Sequence, residues 1–188
     1  GGAKVSSKLN VLKALLNKVD LLLIGGAMAY TFMKAQDKSI GDSLFEPDLV
    51  EQSKSLINDK IVLPVDHVCE KAGEVKVFDN EIPLGWKGMD IGPKTVKLYF
   101  EKLRGAKTIF WNGPMGVFEK EPFNKGTDNL AKDLASIDAI KVVGGGDSVA
   151  AIEKAGLNSS FSHLSTGGGA SIEYIENGTL PGIEALRA

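Results

Sequence analysis

The sequence has few of the features that mark special classes of protein. It contains one cysteine, Cys69, so it can form no internal disulfide, which fits a reducing cytoplasm. No apolar stretch approaches the roughly 18 residues of a membrane span, and the first residues lack a signal-peptide pattern. The net charge of −2 argues against a nucleic acid or an anionic membrane as a partner. We therefore expect a cytoplasmic protein that binds neither.

Two familiar phosphate-binding motifs are also missing. The sequence has no G-x-x-x-x-G-K-[ST], which excludes a P-loop protein. It has no G-x-G-x-x-G followed by an acidic residue about twenty positions later, which counts against an NAD-binding oxidoreductase domain. The arginines and histidines form no cluster that could hold a second anionic substrate.

Short apolar runs alternate with segments of helical spacing. The runs cover residues 21–24, 60–65, 107–111, 139–143 and 161–165. Apolar stripes of helical period occur in 9–19, 96–103 and 130–137. This alternation predicts an α/β fold: a three-layer α/β/α, doubly wound parallel sheet of Rossmann-like type. Residues 74–83 alternate in polarity and predict a small extra strand outside the main sheet.

The chain begins with a glycine turn, Gly1-Gly2, that leads into the first predicted helix, with Ser6 or Ser7 as its cap. In an α/β fold such a turn normally follows a strand. We therefore expect that a first strand is missing before Gly1 and that the chain comes from a longer protein.

Glycine is abundant, with 22 of 188 residues, and it clusters where predicted strands end. The clusters are Gly1-Gly2, Gly25-Gly26, 144–146 and 167–169. Ligands of open parallel sheets bind beyond the carboxyl ends of the strands. Backbone N–H groups at helix starts bind anions, and glycine lets an anion approach them closely. Phosphate is therefore the leading class of ligand.

The side chains near these turns have structural alternatives to a role in binding. Asp147 and Ser148 could cap a helix, or Asp147 could bind Mg²⁺ beside a phosphate. Lys4 and Lys8 are four residues apart and could share a helical face. Most lysines are simply solvated, but positive charge near a helix start opposes the helix dipole, which favours an anionic partner for this pair.

Eight segments together resemble the phosphoglycerate kinase family. They are GGAKVSSK, IGGAMAYTF, LPVD, GMDIGPKT, WNGPMGVFE, VVGGGDSVAA, SHLSTGGGAS and LPGIEAL, in the order in which that family has them. The resemblance implies that residues 1–188 are the C-terminal, nucleotide-binding domain of a two-domain kinase. The N-terminal domain, which binds phosphoglycerate, has no counterpart in the chain. Ala27 stands where many members have a third glycine.

The resemblance also implies roles for individual residues. Lys4 and Lys8 would face the nucleotide phosphates, with Asn112 close by and Glu119 at the ribose. Asp147 would bind the Mg²⁺ carried by ADP or ATP. The remaining contacts would be to adenine, from Gly25, Gly26, Gly88, Met89, Pro114 and Val117, and to phosphate oxygens, from Gly145, Gly146 and Ser148. Catalysis would depend on Lys8, Gly146 and Gly168, with the backbone around 167–169 stabilising the phosphoryl group during transfer.

The expected function is phosphoryl transfer between 1,3-bisphosphoglycerate and ADP. We expect the chain alone to be an inactive monomer, because the family places the phosphoglycerate site in the other domain. Two alternatives remain open from the residues: a nucleotide-binding module without catalysis, and an NAD-binding domain of Rossmann type.

Overall fold

The computed structural model describes residues 1–187. The strands are β1 (Leu22–Leu23), β2 (Ile61–Val62), β3 (Asp66–Lys71), β4 (Glu74–Asp79), β5 (Lys87–Ile91), β6 (Thr108–Asn112), β7 (Ile140–Gly144) and β8 (His163–Ser165). The helices are α1 (Leu9–Leu16), α2 (Met28–Ala35), α3 (Val50–Leu56), α4 (Pro93–Leu103), α5 (Lys125–Ala135), α6 (Gly146–Lys154), α7 (Gly168–Asn177) and α8 (Pro181–Arg187). Within this range, no helix is long and apolar enough to cross a membrane.

The five predicted apolar runs all contain parallel strands, so the α/β class is confirmed. Strands β6, β7 and β8 form one parallel sheet in that order, with Asn112, Gly144 and Ser165 in register at its carboxyl edge. Strands β1 and β2 form a second parallel pair. A core of side chains from α4, α5 and α6 packs on β6 and β7, and a separate core joins α1, α2 and α3 to β1 and β2.

The predicted extra strand is β4, which belongs to a small antiparallel sheet of order β4-β3-β5. The other two strands of this sheet, β3 and β5, were not predicted, because their residues do not form a continuous apolar run. This sheet covers its own small core, which includes Tyr30, Met33 and Trp86. It connects to the main sheet through α4, whose first turn is capped by the Asp66 carboxylate.

A cavity of about 620 Å³ separates the parallel pair β1-β2 from the parallel sheet β6-β7-β8. It is lined by residues 21–23 on one side and 108–111 on the other. Among residues 1–187, β1 pairs only with β2 and β6 only with β7, so each has an unpaired edge along this cavity. The Gly1 amino group donates to the Asn112 carbonyl oxygen at 2.7 Å, which places the first residue at the carboxyl end of the cavity.

The predicted cap of the first helix is wrong. Helix α1 starts at Leu9 with Lys8 in the N-cap position, and no side chain makes a capping hydrogen bond there. The Ser6 hydroxyl instead donates to Glu46, and the Ser7 hydroxyl donates to the Lys4 carbonyl oxygen. Both serines therefore stabilise the turn before the helix and leave the helix N–H groups unbonded by side chains.

Joining about five apolar, β-branched residues ahead of Gly1 should stabilise the chain. Such a segment would run parallel to β1 and β6 and pair with both free edges, and each buried side chain would contribute roughly 1.5–3 kcal/mol before ordering costs. Urea unfolding should show a free energy of unfolding several kcal/mol higher. A glycine-serine extension of equal length is the control, and equal stability of the two extended chains would contradict the prediction.

Candidate functional site

The glycine turns that follow β1, β6, β7 and β8 meet at one edge of the fold. The Gly26 N–H donates to the Met115 carbonyl oxygen at 2.9 Å, and the Met28 N–H donates to the Gly2 oxygen at 3.1 Å. At the other side, the Gly145 N–H donates to the Ser165 oxygen at 2.9 Å. The sequence therefore correctly predicted that these separate turns share one edge.

Glycine is required where two of these turns touch. A Cβ atom on Gly168 would lie 2.8 Å from the Cα of Gly145, and Gly145 itself has a φ of 107°. A side chain at either position would push the turns apart or strain the backbone. Gly146, by contrast, faces open space, with no atom within 4 Å of a Cβ placed there. The start of α6 therefore exposes its backbone to whatever binds at this edge.

Lys8 points into the same edge. Its Nζ donates to the Asn112 Oδ1 at 2.7 Å and to the Gly1 carbonyl oxygen. The Asn112 Nδ2 in turn donates to the Gly144 oxygen at 2.7 Å. One asparagine side chain thus connects the lysine to the glycine turn after β7.

The Lys8 amino group is hard to keep charged. Burial lowers the pKa of Lys8 to about 8, although the nearby Asp147 carboxylate raises it in part. None of the salt bridges within residues 1–187 includes Lys8. An anionic ligand would therefore find a cation that no protein carboxylate neutralises by direct contact.

The structure contradicts a capping role for Asp147 and Ser148. Helix α6 begins at Gly146 with Gly145 as its N-cap, and no side chain makes a capping hydrogen bond. The Ser148 hydroxyl is buried and accepts from the Gly113 N–H at 2.8 Å, so it fixes the turn after β6. Asp147 is exposed in the first turn of α6. Its negative charge acts on Lys8, but the two side chains make no direct bond.

The residues expected around adenine lie along the other end of the edge. The Val117 N–H donates to the Met89 oxygen at 2.9 Å, which joins the loop after β6 to β5. A Cβ on Gly25 would meet the Met115 sulfur at 2.3 Å, and one on Gly88 would meet the Tyr30 hydroxyl at 2.0 Å. The structure therefore brings these backbone segments together between the small sheet and the main sheet.

Three other expected residues are placed less tightly. Pro114 is half-buried, and its carbonyl oxygen lies where a side chain on Gly1 would be. The side chains of Lys4 and Glu119 are exposed and make no hydrogen bond among the described residues. Their expected contacts with phosphate and ribose depend on a ligand.

The protein groups fit Mg²⁺ only as an ion carried by a ligand. In residues 1–187 no group of three or more histidine, cysteine, aspartate or glutamate side chains could hold a metal ion. Mg²⁺ commonly binds one or two carboxylates and otherwise phosphate oxygens and water. The exposed Asp147 carboxylate follows the glycine turn at Gly145 and Gly146, where a phosphate could approach the start of α6, and so suits that arrangement.

One residue near this edge, Glu46, was not predicted from the sequence. Its carboxylate accepts hydrogen bonds from the Val5 N–H at 2.5 Å, the Ser6 N–H at 3.0 Å and the Ser6 hydroxyl at 2.5 Å. Partial burial raises its pKa, but these bonds and the charge of Lys4 outweigh burial and hold it below the usual range. The contact spans about forty positions, so no local motif could have shown it.

Comparison with known proteins gives a consistent answer. The family model for phosphoglycerate kinase matches residues 1–178. The phosphoglycerate kinase of Anaeromyxobacter dehalogenans is 51% identical over 98% of this chain and 50% of that protein, and the Clostridium perfringens enzyme is 52% identical over 99% and 49%. The solved structure of phosphoglycerate kinase from Coxiella burnetii superposes with a TM-score of 0.92 at 40% identity, covering 99% of this chain and 51% of that one. The chain spans about half the length of the curated relatives that it matches.

The pKa of Lys8 should make stability depend on pH in a defined window. The folded pKa of about 8 lies below the ordinary 10.5, so between these values the unfolded chain holds the proton more tightly. The free energy of unfolding should therefore rise from pH 8 to pH 10.5 relative to Lys8→Met, by at most about 3 kcal/mol because the side chain is partly solvated. Urea unfolding of both proteins at several pH values measures this, and parallel pH curves would contradict it.

Proposed function

This chain belongs to the phosphoglycerate kinase family, and we propose that it is the nucleotide-binding half of such an enzyme, with MgADP or MgATP as its ligand. The observation that carries the proposal is the meeting of Lys8, the open backbone at Gly146 and the turn at Gly168 on one edge. The other half would supply the phosphoglycerate site, and the cytoplasm is the proposed location.

The phosphate end of the proposed site would lie between α1, α6 and α7. Helices α6 and α7 begin at Gly146 and Gly168, and neither start is capped by a side chain. Free N–H groups and the helix dipoles favour an anion at such starts. Lys8 and Lys4 add positive charge at the same place. These groups suit the terminal phosphates of a nucleotide better than any neutral ligand.

The nucleoside end would lie toward β5 and the loop after β6. Backbone segments at Gly25, Gly88 and Met89 form one wall, and Val117, which is 37% exposed, offers an apolar side chain on the other. A flat base needs apolar contact on its faces, and such a surface provides it. Glu119 follows two residues after Val117, where its carboxylate could accept from ribose hydroxyls.

The reaction proposed for the assembled enzyme is phosphoryl transfer between 1,3-bisphosphoglycerate and ADP. Such transfers depend on positioning and on stabilising the charge of the moving group. Lys8, the Gly146 N–H and the backbone of the turn at 167–169 would stabilise that charge, and Asp147 would hold the metal ion carried by the nucleotide. When bound, Mg²⁺ would offset the negative charge of the phosphate oxygens.

This chain carries no evident site for the second substrate. Its arginines, Arg104 and Arg187, lie at the carboxyl ends of α4 and α8, away from the glycine turns. A phosphoglycerate has two anionic ends and needs its own cationic surface. The proposal therefore treats the chain as a half that binds nucleotide and requires a second half for turnover.

Lys8→Ala should weaken the binding of MgADP much more than that of adenosine. Only the phosphates need the lysine charge, and a hydrogen bond to a charged group contributes about 1.5–3 kcal/mol, or roughly tenfold or more in affinity. Isothermal titration calorimetry with both ligands measures the difference. Lys13→Ala, an exposed lysine on the same helix, is the matched control and should change neither affinity.

The metal role of Asp147 is separable in the same titrations. Asp147→Asn should leave stability nearly unchanged and reduce the gain in ADP affinity that Mg²⁺ gives.

Equal losses of affinity for MgADP and for adenosine in Lys8→Ala would contradict a phosphate site. Equal affinity for ADP and NAD without any effect of Mg²⁺ would favour the NAD-binding alternative.

The chain alone should not form ATP from 1,3-bisphosphoglycerate and ADP. Holding two reactants in position contributes roughly 7–11 kcal/mol, and that contribution needs both binding surfaces. A coupled assay should show no turnover with the chain alone and recovery when the N-terminal half of a close relative is added and docks. Substantial activity of the chain alone would contradict the half-enzyme proposal. Failure to recover with a docked partner half would favour a non-catalytic nucleotide-binding module.

A further inference from the structure

Helix α1 anchors only the Lys8 end of the turn that carries Lys4 and Lys8, because the Leu12 N–H donates to the Lys8 carbonyl oxygen at 2.8 Å. The helix starts only at Leu9, and the residues before it form irregular turns. Within the turn, the main fixed points are the buried Val5 side chain and the bond from the Lys8 N–H to the Val5 oxygen at 2.8 Å. Lys4 and Ser6 are exposed. Asn112 and Gly1 bond the Lys8 Nζ, so it is the backbone of residues 4–7, and with it Lys4, that depends on what holds this turn from outside.

Glu46 holds it. Its Oε2 accepts from the N–H groups of Val5 and Ser6, and its Oε1 accepts from the Ser6 hydroxyl. Three donors on one carboxylate leave the turn little freedom, because bonds to a charged acceptor are stronger than those between neutral groups. The carboxylate thereby takes up two backbone donors that the turn does not satisfy internally.

Glu46 is itself fixed to the core of the fold. Its backbone N–H donates to the Thr31 hydroxyl at 3.1 Å, and Thr31 is buried in helix α2. Directly after it, Pro47 begins a short 3-10 turn that leads into α3. The carboxylate thus connects the buried helix α2, through Thr31, to the irregular turn that carries the lysines.

We propose that Glu46 is a positioning residue that holds the Lys4–Lys8 turn in the conformation able to bind the nucleotide phosphates. The proposal rests on the proposed function, since it assumes a phosphate ligand at Lys8. Without the carboxylate, the three donors return to water and the turn samples other conformations. The apparent Kd then rises by the inverse of the fraction of molecules in the competent conformation.

The charge of Glu46 would oppose this effect if it acted only through electrostatics. It is a negative group near Lys4, and a negative group beside a phosphate site should weaken anion binding. Removing it would then strengthen the binding of MgADP. Positioning and simple charge repulsion therefore predict opposite signs for the same substitution.

The experiment compares three variants of the full-length protein. Glu46→Ala removes all three bonds, Glu46→Gln keeps the size and one strong acceptor, and Ser6→Ala removes only the hydroxyl bond. Glu51→Ala, an exposed glutamate in the first turn of α3, is the matched control. Calorimetry measures the Kd for MgADP and for adenosine, and thermal melting measures stability.

Glu46→Ala should weaken MgADP about tenfold, which corresponds to about 1.4 kcal/mol, and leave adenosine unchanged. Glu46→Gln and Ser6→Ala should each weaken MgADP about two- to fourfold, a partial rescue that follows the number of bonds kept. Glu51→Ala should behave as the parent protein.

Three results would overturn the proposal. Unchanged or tighter MgADP binding in Glu46→Ala would show that the carboxylate does not position the lysines. Equal weakening of MgADP and adenosine together with a lower melting temperature would show a general structural role. If Glu46→Ala does not fold, unchanged MgADP binding in both Glu46→Gln and Ser6→Ala decides against it. A failure of the proposed function shows differently, as a parent protein whose MgADP binding does not respond to Lys8→Ala.

Discussion

The side chain of Asn112 connects the parts of the phosphate edge on which the rest of the site depends. Its Oδ1 accepts from Lys8, and its Nδ2 donates to the carbonyl oxygen of Gly144. Because donor and acceptor sit on one rigid amide at the end of β6, the Nζ of Lys8, the residue just before α1, keeps a fixed position relative to the glycine turn before α6. Strand pairing in register between Asn112 and Gly144 supports this geometry from below. The same site would be much looser if it were built from loops alone.

Much of the fold could be predicted because buried parallel strands leave a strong signal. Runs such as residues 107–111 and 139–143 are apolar on both faces, and their order with helices fixes the α/β class. The small sheet was seen only in β4, because β3 and β5 mix apolar residues with buried polar ones: Asp66 and Asp90, which have hydrogen-bond partners, and His67, whose Nε2 has none among the described residues. Local polarity patterns cannot show which polar side chains the fold will bury.

The site divides in the same way. The meeting of the glycine turns could be predicted because the turns follow strand ends, whereas Lys8 and Asn112 were assigned to the site through the resemblance to the phosphoglycerate kinase family. The roles considered for Ser6, Ser7 and Ser148 as helix caps were wrong: the Ser6 and Ser148 hydroxyls bond to groups far along the chain, and the Ser7 hydroxyl donates to the Lys4 carbonyl oxygen within the turn. Glu46 was missed for the same reason. Side chains whose partners lie forty positions away carry no local signal, and only the folded structure brings them together.

The charge of Lys8 has no ion pair at this edge among residues 1–187. Such an arrangement would favour the binding of an anionic ligand, but it lowers the stability of the fold. Lys8 bonds only to neutral oxygen atoms of Asn112 and Gly1, and burial lowers its pKa to about 8. A carboxylate in direct contact would keep the lysine charged and raise stability, but it would also compete with a phosphate for the same cation. Asp147 lies near enough to support the charge and leaves the Nζ free of an ion pair, while Glu46 binds the turn instead of the lysine. Asp147 and Glu46 therefore lie near the cation without neutralising it by direct contact, which suits the proposed anion site.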